Sequence, residues 1–188
     1  MSKSSRLGLS SNTINTTTSL NVTCIEKERE SLLLFKQNLT GRSNLLSTWI
    51  GVECCEWHGI GCDSENGHVV KLDLRPRDPY NVVETLLLND KLLEGELSPA
   101  LQNLKYLRYM DLSMNHFSGK IPEFLGSFEY LEYLNLSASG FYGVVPHHLG
   151  NLSRLRYLDL RHIFLVDDHH TSPSYLSVIS APGVDDLG

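Results

Sequence analysis

Leucine recurs on a fixed 24-residue beat through the middle of this 188-residue chain. Leu107, Leu131 and Leu155 open three copies of one series, continued by Met110 and Leu112, by Leu134 and Leu136, and by Leu158 and Leu160. Phe117, Gly119, Ile121 and Pro122 are matched one beat later by Phe141, Gly143, Val145 and Pro146. Leu125-Gly126-Ser127-Phe128 is likewise matched by Leu149-Gly150-Asn151-Leu152. A coiled-coil helix would repeat every 3.5 residues or so, roughly a seventh of this period. The spacing is that of a stacked array, in which each unit buries its apolar residues against its neighbours.

Each L-x-x-L-x-L stretch reads as a short strand with leucines pointing inward, and the rest of the unit curls back. Six or seven buried apolar side chains per coil, at about 1.5–3 kcal/mol each, give on the order of 10 kcal/mol gross. Chain entropy offsets most of this, so a single coil cannot fold alone and stacking is obligatory. Asn115 stands where an inward amide can bridge the turns of adjacent coils. Its equivalents, Ser139 and Ile163, leave that ladder incomplete.

The 16 basic and 22 acidic side chains give a net charge of −6, which argues against a nucleic-acid partner. Leucine makes up about one residue in six, yet no apolar run approaches the roughly 20 residues of a membrane span. Lys3 and Arg6 precede only Leu7-Gly8-Leu9, too short a patch for a signal peptide. Phosphate loops, nucleophile elbows and kinase signatures are missing, so neither an enzyme nor a cofactor is expected. Asp167-Asp168-His169-His170 is the one cluster with metal-ligand chemistry. Adjacent residues converge poorly on one ion, and a solvated tail is the expectation, as a convex surface is for His147-His148.

The first third is organised differently. Residues 1–22 are rich in Ser, Thr and Asn and are expected to be disordered. Thr23-Cys24-Ile25-Glu26 has the spacing of a capping box, and Leu32, Phe35 and Leu39 predict an amphipathic helix over 26–39. Leu45, Leu46 and Trp49 suggest a second short helix, and Val69 to Leu74 alternates as a strand. Four cysteines, Cys24, Cys54, Cys55 and Cys62, surround Trp57. A bond between the neighbours Cys54 and Cys55 would strain their peptide, so Cys24 pairs with one and Cys62 with the other. The paired C-x-x-C of a zinc ribbon is absent. Sequons at Asn15, Asn21, Asn38, Asn135 and Asn151 join the even cysteine count in pointing to an oxidising, extracellular setting. The missing signal peptide then reads as an incomplete N-terminus.

Tyr109, Tyr133 and Tyr157 form one column on the concave face, one per coil. Tyrosine is a favoured interface anchor, but the same column is also stabilised by simple cross-strand packing. Asp111, Asn135, Asp159, Arg108 and Arg156 flank it, and a glycan on Asn135 would obstruct it.

Taken together, Gly119-x-Ile121-Pro122, the Leu-Gly-x-Leu element and the run from Cys24 through Cys54-Cys55-x-Trp57-x-Gly59-Ile60-x-Cys62 resemble the plant-type leucine-rich repeat family. The resemblance is to the extracellular parts of receptor-like proteins and receptor-like kinases, closest in look to the xylanase-receptor and scab-resistance type. It implies an α/β fold, a short right-handed solenoid with parallel strands on its concave face and a disulfide-stapled helical N-terminal cap. It further implies the pairs Cys24–Cys54 and Cys55–Cys62. The expected organisation is a tail over 1–22, a cap over 23–66, three to four repeats over 67–163 and a degenerate tail over 164–188.

In function the resemblance implies a non-enzymatic recognition module at the outer face of the plasma membrane. It would sense a protein, peptide or glycan ligand in plant defence, with a co-receptor kinase as partner. A secreted inhibitor of microbial cell-wall-degrading enzymes, like the polygalacturonase inhibitors, is the alternative. The first repeat has two possible registers. Val83, Leu86, Leu88, Leu93, Gly95 and Leu97 fit the 24-residue frame, whereas the family pattern favours a strand at 69–74, an inserted loop and a return at Leu92 to Pro99. The insertion is the preferred reading. Past Leu160 the leucines give way to Asp, His, Ser and Pro, which suggests an N-terminal fragment with an open, association-prone last edge.

Overall fold

The computed structural model describes residues 22–40, 44–76, 92–163, 165–167, 170–174 and 179–180. Asn15, Asn21 and nearly all of the tail expected to be disordered fall outside these residues. So do Asp168, His169 and most of the proposed insertion.

Helix α1 (Glu26–Gln37) buries Leu32 and Phe35, with Glu26 and Glu28 in its first turn and Lys36 in its last, as the helix dipole favours. The capping box does not form. Ile25, whose side chain has no acceptor, occupies the N-cap in place of Thr23, and no side-chain cap bond is made. The predicted second helix is a single 3-10 turn, Asn44–Leu46. The Lys36 ammonium donates to the Leu46 and Trp49 carbonyls at 2.9 and 3.1 Å, closing the loop over the Trp49–Trp57 stack. Sulfur bonds join Cys24 to Cys54 and Cys55 to Cys62, each pair with Cα atoms 5.4 Å apart. The Sγ atoms of Cys24, Cys54 and Cys55 lie within 4.8 Å of one another, but disulfide bonding removes the thiolates a metal would need.

Strand β1 (Ile60–Cys62) runs antiparallel to β2 (Val69–Asp73), which opens the repeat sheet. Next come β4 (Tyr109–Asp111), β6 (Tyr133–Asn135) and β7 (Tyr157–Asp159), all parallel and in register: Lys71, Tyr109, Tyr133 and Tyr157 are neighbours. Since β2 pairs directly with β4, the chain between them exceeds one 24-residue period, in keeping with an insertion after β2. A second, two-stranded parallel sheet pairs β3 (Glu94–Gly95) with β5 (His116–Phe117). Short 3-10 helices at Pro99–Asn103, Glu123–Ser127 and His147–Asn151 form the return face, burying Leu101, Leu125 and Leu149.

Two glycines of the repeat are required by geometry. At Gly119, φ is +89°, a conformation side chains rarely tolerate, and a Cβ on Gly126 would come within 2.1 Å of the His148 carbonyl oxygen. Inside, Leu107, Met110, Leu112, Leu131, Leu134 and Leu136 are fully buried and Phe117 stacks on Phe141 at 5.6 Å. Leu155 and Leu158 are only partly buried, as expected for a coil with less packed behind it.

The last edge is not open, however. Strand β10 (Ile179–Ser180) pairs antiparallel with β7, Ile179 opposite Leu158 and Ser180 opposite Tyr157, while β8 (Leu165–Asp167) and β9 (His170–Ser174) form a separate hairpin. The expectation of wholly unpaired amides along β7 is therefore corrected: an extended segment supplies partners without carrying the leucine pattern. Backbone hydrogen bonds need no particular side chains, so the composition of the tail could not reveal this.

Candidate recognition surface

Parallel strands in register place identical positions side by side, and the concave face is built from such columns. The Tyr109, Tyr133 and Tyr157 rings stack at 4.2 and 4.4 Å with interplanar angles of 8° and 2°. The Lys71 ammonium closes one end of the column, 5.0 Å from the Tyr109 centroid. Stacked this closely, the rings cover one another's faces and offer an incoming molecule mainly their edges. The packing ladder and the anchor column are thus the same object, seen from inside and outside.

Beneath the rings runs a buried polar row: Asp73, Asp111, Asn135 and Asp159. Asp111 is its hub. Its Oδ1 accepts from the Ser113 amide at 3.0 Å and the Ser113 hydroxyl at 2.6 Å. Its Oδ2 accepts from the Tyr109 and Tyr133 hydroxyls at 3.4 and 3.3 Å and from Asn135 Nδ2 at 3.2 Å. Arg75 reaches both Asp73 (3.3 Å) and Asp111 (3.7 Å), and Arg161 grips Asp159 with its closest contact at 2.7 Å. Asp111 and Asp159 are fully buried, so they hold tyrosines and cations in place and present no carboxylate to a ligand. Arg108 and Arg156 are exposed, with Glu132 between them in the same column. The sequence reading missed Lys71, Asp73, Arg75, Glu132 and Arg161. Column position alone could have found Lys71 and Asp73, by extending the tyrosine and aspartate columns one coil back, and Glu132, midway between Arg108 and Arg156.

Asn135 is the sequon engaged within the fold. Its Nδ2, the atom a glycan would use, is turned inward to Asp111 and the Tyr133 hydroxyl, and its Oδ1 accepts from Ser137. By contrast, Asn38 and Asn151 are exposed. Replacing Asn135 by Asp would set a carboxylate against Asp111 with no cation assigned to it. At an effective dielectric near 20 and a charge separation of about 4 Å this costs about 4 kcal/mol at neutral pH. Urea unfolding of Asn135→Asp should show that loss at pH 7 and its recovery toward pH 4; equal loss at both values would remove charge as the cause.

The tyrosines themselves respond to alkali. Burial, reinforced by the Asp111 charge, pushes the Tyr109 phenol up to about 12. Tyr133 is raised by burial, Asp111 and Tyr109, and Tyr157 by burial and Asp159. A folded-state value above the unfolded one means the unfolded chain loses its protons first, so the contribution to stability is complete below about pH 10 and disappears as pH rises through the folded values. Three of the eight tyrosines should therefore ionise late and together with loss of structure, followed by tyrosinate absorbance and circular dichroism. Ionisation of these three near pH 10 with the fold intact would contradict the buried hydroxyl–carboxylate row.

Residues 25–63 match the leucine rich repeat N-terminal domain family and residues 106–128 match the leucine rich repeat family. Receptor-like protein EIX2 of Solanum lycopersicum is 45% identical over 121 residues, covering 62% of this chain and 11% of its own length. Receptor-like protein EIX1 of the same plant is 44% identical over 106 residues, covering 54% and 10%. The chain thus carries leucine rich repeat domains similar to those of plant receptor-like proteins. It spans about a tenth of the length of these receptor-like relatives. Among solved leucine-rich repeat structures, that of PEPR1–AtPEP1 superposes with a TM-score of 0.63 at 31% identity, over 75% of this chain and 18% of that one. The SOBIR1 ectodomain of Arabidopsis thaliana superposes with a TM-score of 0.57 at 25% identity, over 77% and 71%. Cys54, Cys55 and Cys62 lie within the matched cap, with Cys24 one residue before it, and Tyr109 of the tyrosine column lies in the matched repeat.

Proposed function

We propose that the chain is a non-enzymatic extracellular recognition module, binding a protein or peptide on its concave face and working in plant defence signalling with a co-receptor kinase. The observation that carries this is the pre-set column of tyrosine edges bordered by Arg108, Glu132 and Arg156. Its rings are fixed by stacking and by buried carboxylates, so binding costs little side-chain entropy. Supporting it, the relatives are receptor-like proteins, and one similar solved structure is titled as PEPR1 with AtPEP1. The same relatives favour receptor action over the inhibitor alternative. Both disulfides favour secretion, and Asn38 and Asn151 are the proposed glycan sites.

Panning a random linear peptide library on the secreted chain tests this reading. Enriched peptides should bind at micromolar levels and weaken about tenfold, or 1.4 kcal/mol, when Arg156 is replaced by Glu. Peptides indifferent to Arg156→Glu and Arg108→Glu, or no enrichment at all, would overturn it.

A further inference from the structure

A second aromatic column stands at the entry ends of the strands, away from the concave face. His68 packs on Tyr106 at 4.1 Å, Tyr106 on Tyr130 at 5.6 Å, and Arg154 lies 4.6 Å from the Tyr130 ring. It differs from the concave column in one respect. The concave hydroxyls are bound to Asp111 and Asp159, whereas among the described residues the Tyr106 and Tyr130 hydroxyls have no hydrogen-bond partner. Tyr106 is 43% exposed although rings flank it on both sides, and its neighbour is tilted by 30°, which leaves part of the ring face open.

Beside this column lies a groove of about 410 Å³ lined by Gln102, Lys105, Tyr106, Ser127, Glu129 and Tyr130. That volume falls within the usual range of small-ligand sites. Its chemistry is selective. No aliphatic side chain lines it, so it has no seat for the apolar anchor of a peptide. Lys105 and Glu129 balance each other, so it attracts neither anions nor cations as a class. What it holds is aromatic surface beside uncommitted donors and acceptors: an amide, an ammonium, a carboxylate and two phenols. Molecules that match both are neutral, hydroxyl-rich rings, whose C–H faces pack on tyrosine and whose hydroxyls bond to Gln102 and Glu129.

We infer that this lateral groove is a binding site for a neutral oligosaccharide segment. It is separate from the concave surface, so the two readings stand or fall independently. The secreted full chain is titrated by calorimetry and saturation-transfer NMR with cellohexaose, chitohexaose and mannohexaose, and with tetragalacturonate as the charged control. At least one neutral hexasaccharide should bind and saturate from its ring protons. Tyr106→Ala should weaken it about tenfold, the scale of 1.4 kcal/mol. Gln102→Ala, which leaves the ring column intact, should weaken it too, and Tyr142→Ala, exposed but outside the groove, should not. Binding by none of the neutral sugars, tighter binding of tetragalacturonate, or binding unaffected by both groove variants would each overturn the assignment.

Discussion

Reducing both disulfides is expected to cost the chain about 6 kcal/mol, a large share of the roughly 5–15 kcal/mol of stability a folded domain has to lose. The chain-entropy relation gives about 3.6 kcal/mol for the loop closed by Cys24–Cys54 and about 2.5 kcal/mol for that closed by Cys55–Cys62. Sequence separations of 30 and 7 residues set these two values. The bonds hold the elements that seal the open end of the array. Cys24 fixes the entry to α1, Cys54 is fully buried under it, and Cys62 ends β1, the antiparallel strand that covers the free edge of β2. Loss of the cap would expose Leu72 and Leu74 of the first coil and transmit instability down the stack. Urea unfolding of Cys24→Ala/Cys54→Ala and of Cys55→Ala/Cys62→Ala should rank in that order, with the buried pair costing more. An unchanged midpoint in excess reductant would show that helix packing alone closes the array.

Much of this architecture was legible because repetition amplifies it. One leucine is ambiguous, whereas three coils with the same six or seven positions fix strand, turn and stacking direction together. The cap was legible through its cysteine spacing and paired tryptophans. What escaped was whatever does not repeat in residue identity. Met114, Ala138 and His162 each take a left-handed backbone, φ between 49° and 59°, at the same place in successive coils. No glycine marks the position, so nothing in the sequence announced it. Glu28 carried no signal of its own in the sequence, yet its buried carboxylate accepts the Val69 amide at 2.7 Å and lies 2.8 Å from His68 Nδ1, locking the helix to β2. Such long-range pairing has no local pattern. Depth was the other blind spot: Asp111 and the tyrosines share a face, but only packing decides which of them meets solvent.

Asn115→Ala should destabilise the array by about 4 kcal/mol, since it leaves buried backbone groups unpaired at about 1–3 kcal/mol apiece. The amide sits at a junction of three turns. Its Nδ2 donates to the carbonyls of Leu74, Leu112 and Ser113 at 3.0, 3.1 and 3.1 Å, and its Oδ1 accepts the Leu93 amide at 3.0 Å. Leu74 directly follows β2 and Leu93 lies where the chain re-enters the array, so one side chain fastens both sides of the long connection after β2. Asp at this site keeps the acceptor for Leu93 but turns a second oxygen toward three carbonyls, and should be worse than Ala at neutral pH. Ser139, one period on, makes a single bond to the Leu136 carbonyl, and Ser139→Ala should cost only about 1 kcal/mol. Equilibrium urea unfolding gives the four stabilities, and hydrogen exchange at the Leu93 amide reports the local loss. If Asn115→Ala matches Ser139→Ala, or Leu93 stays protected, the strands alone hold the coils in register and the asparagine is dispensable.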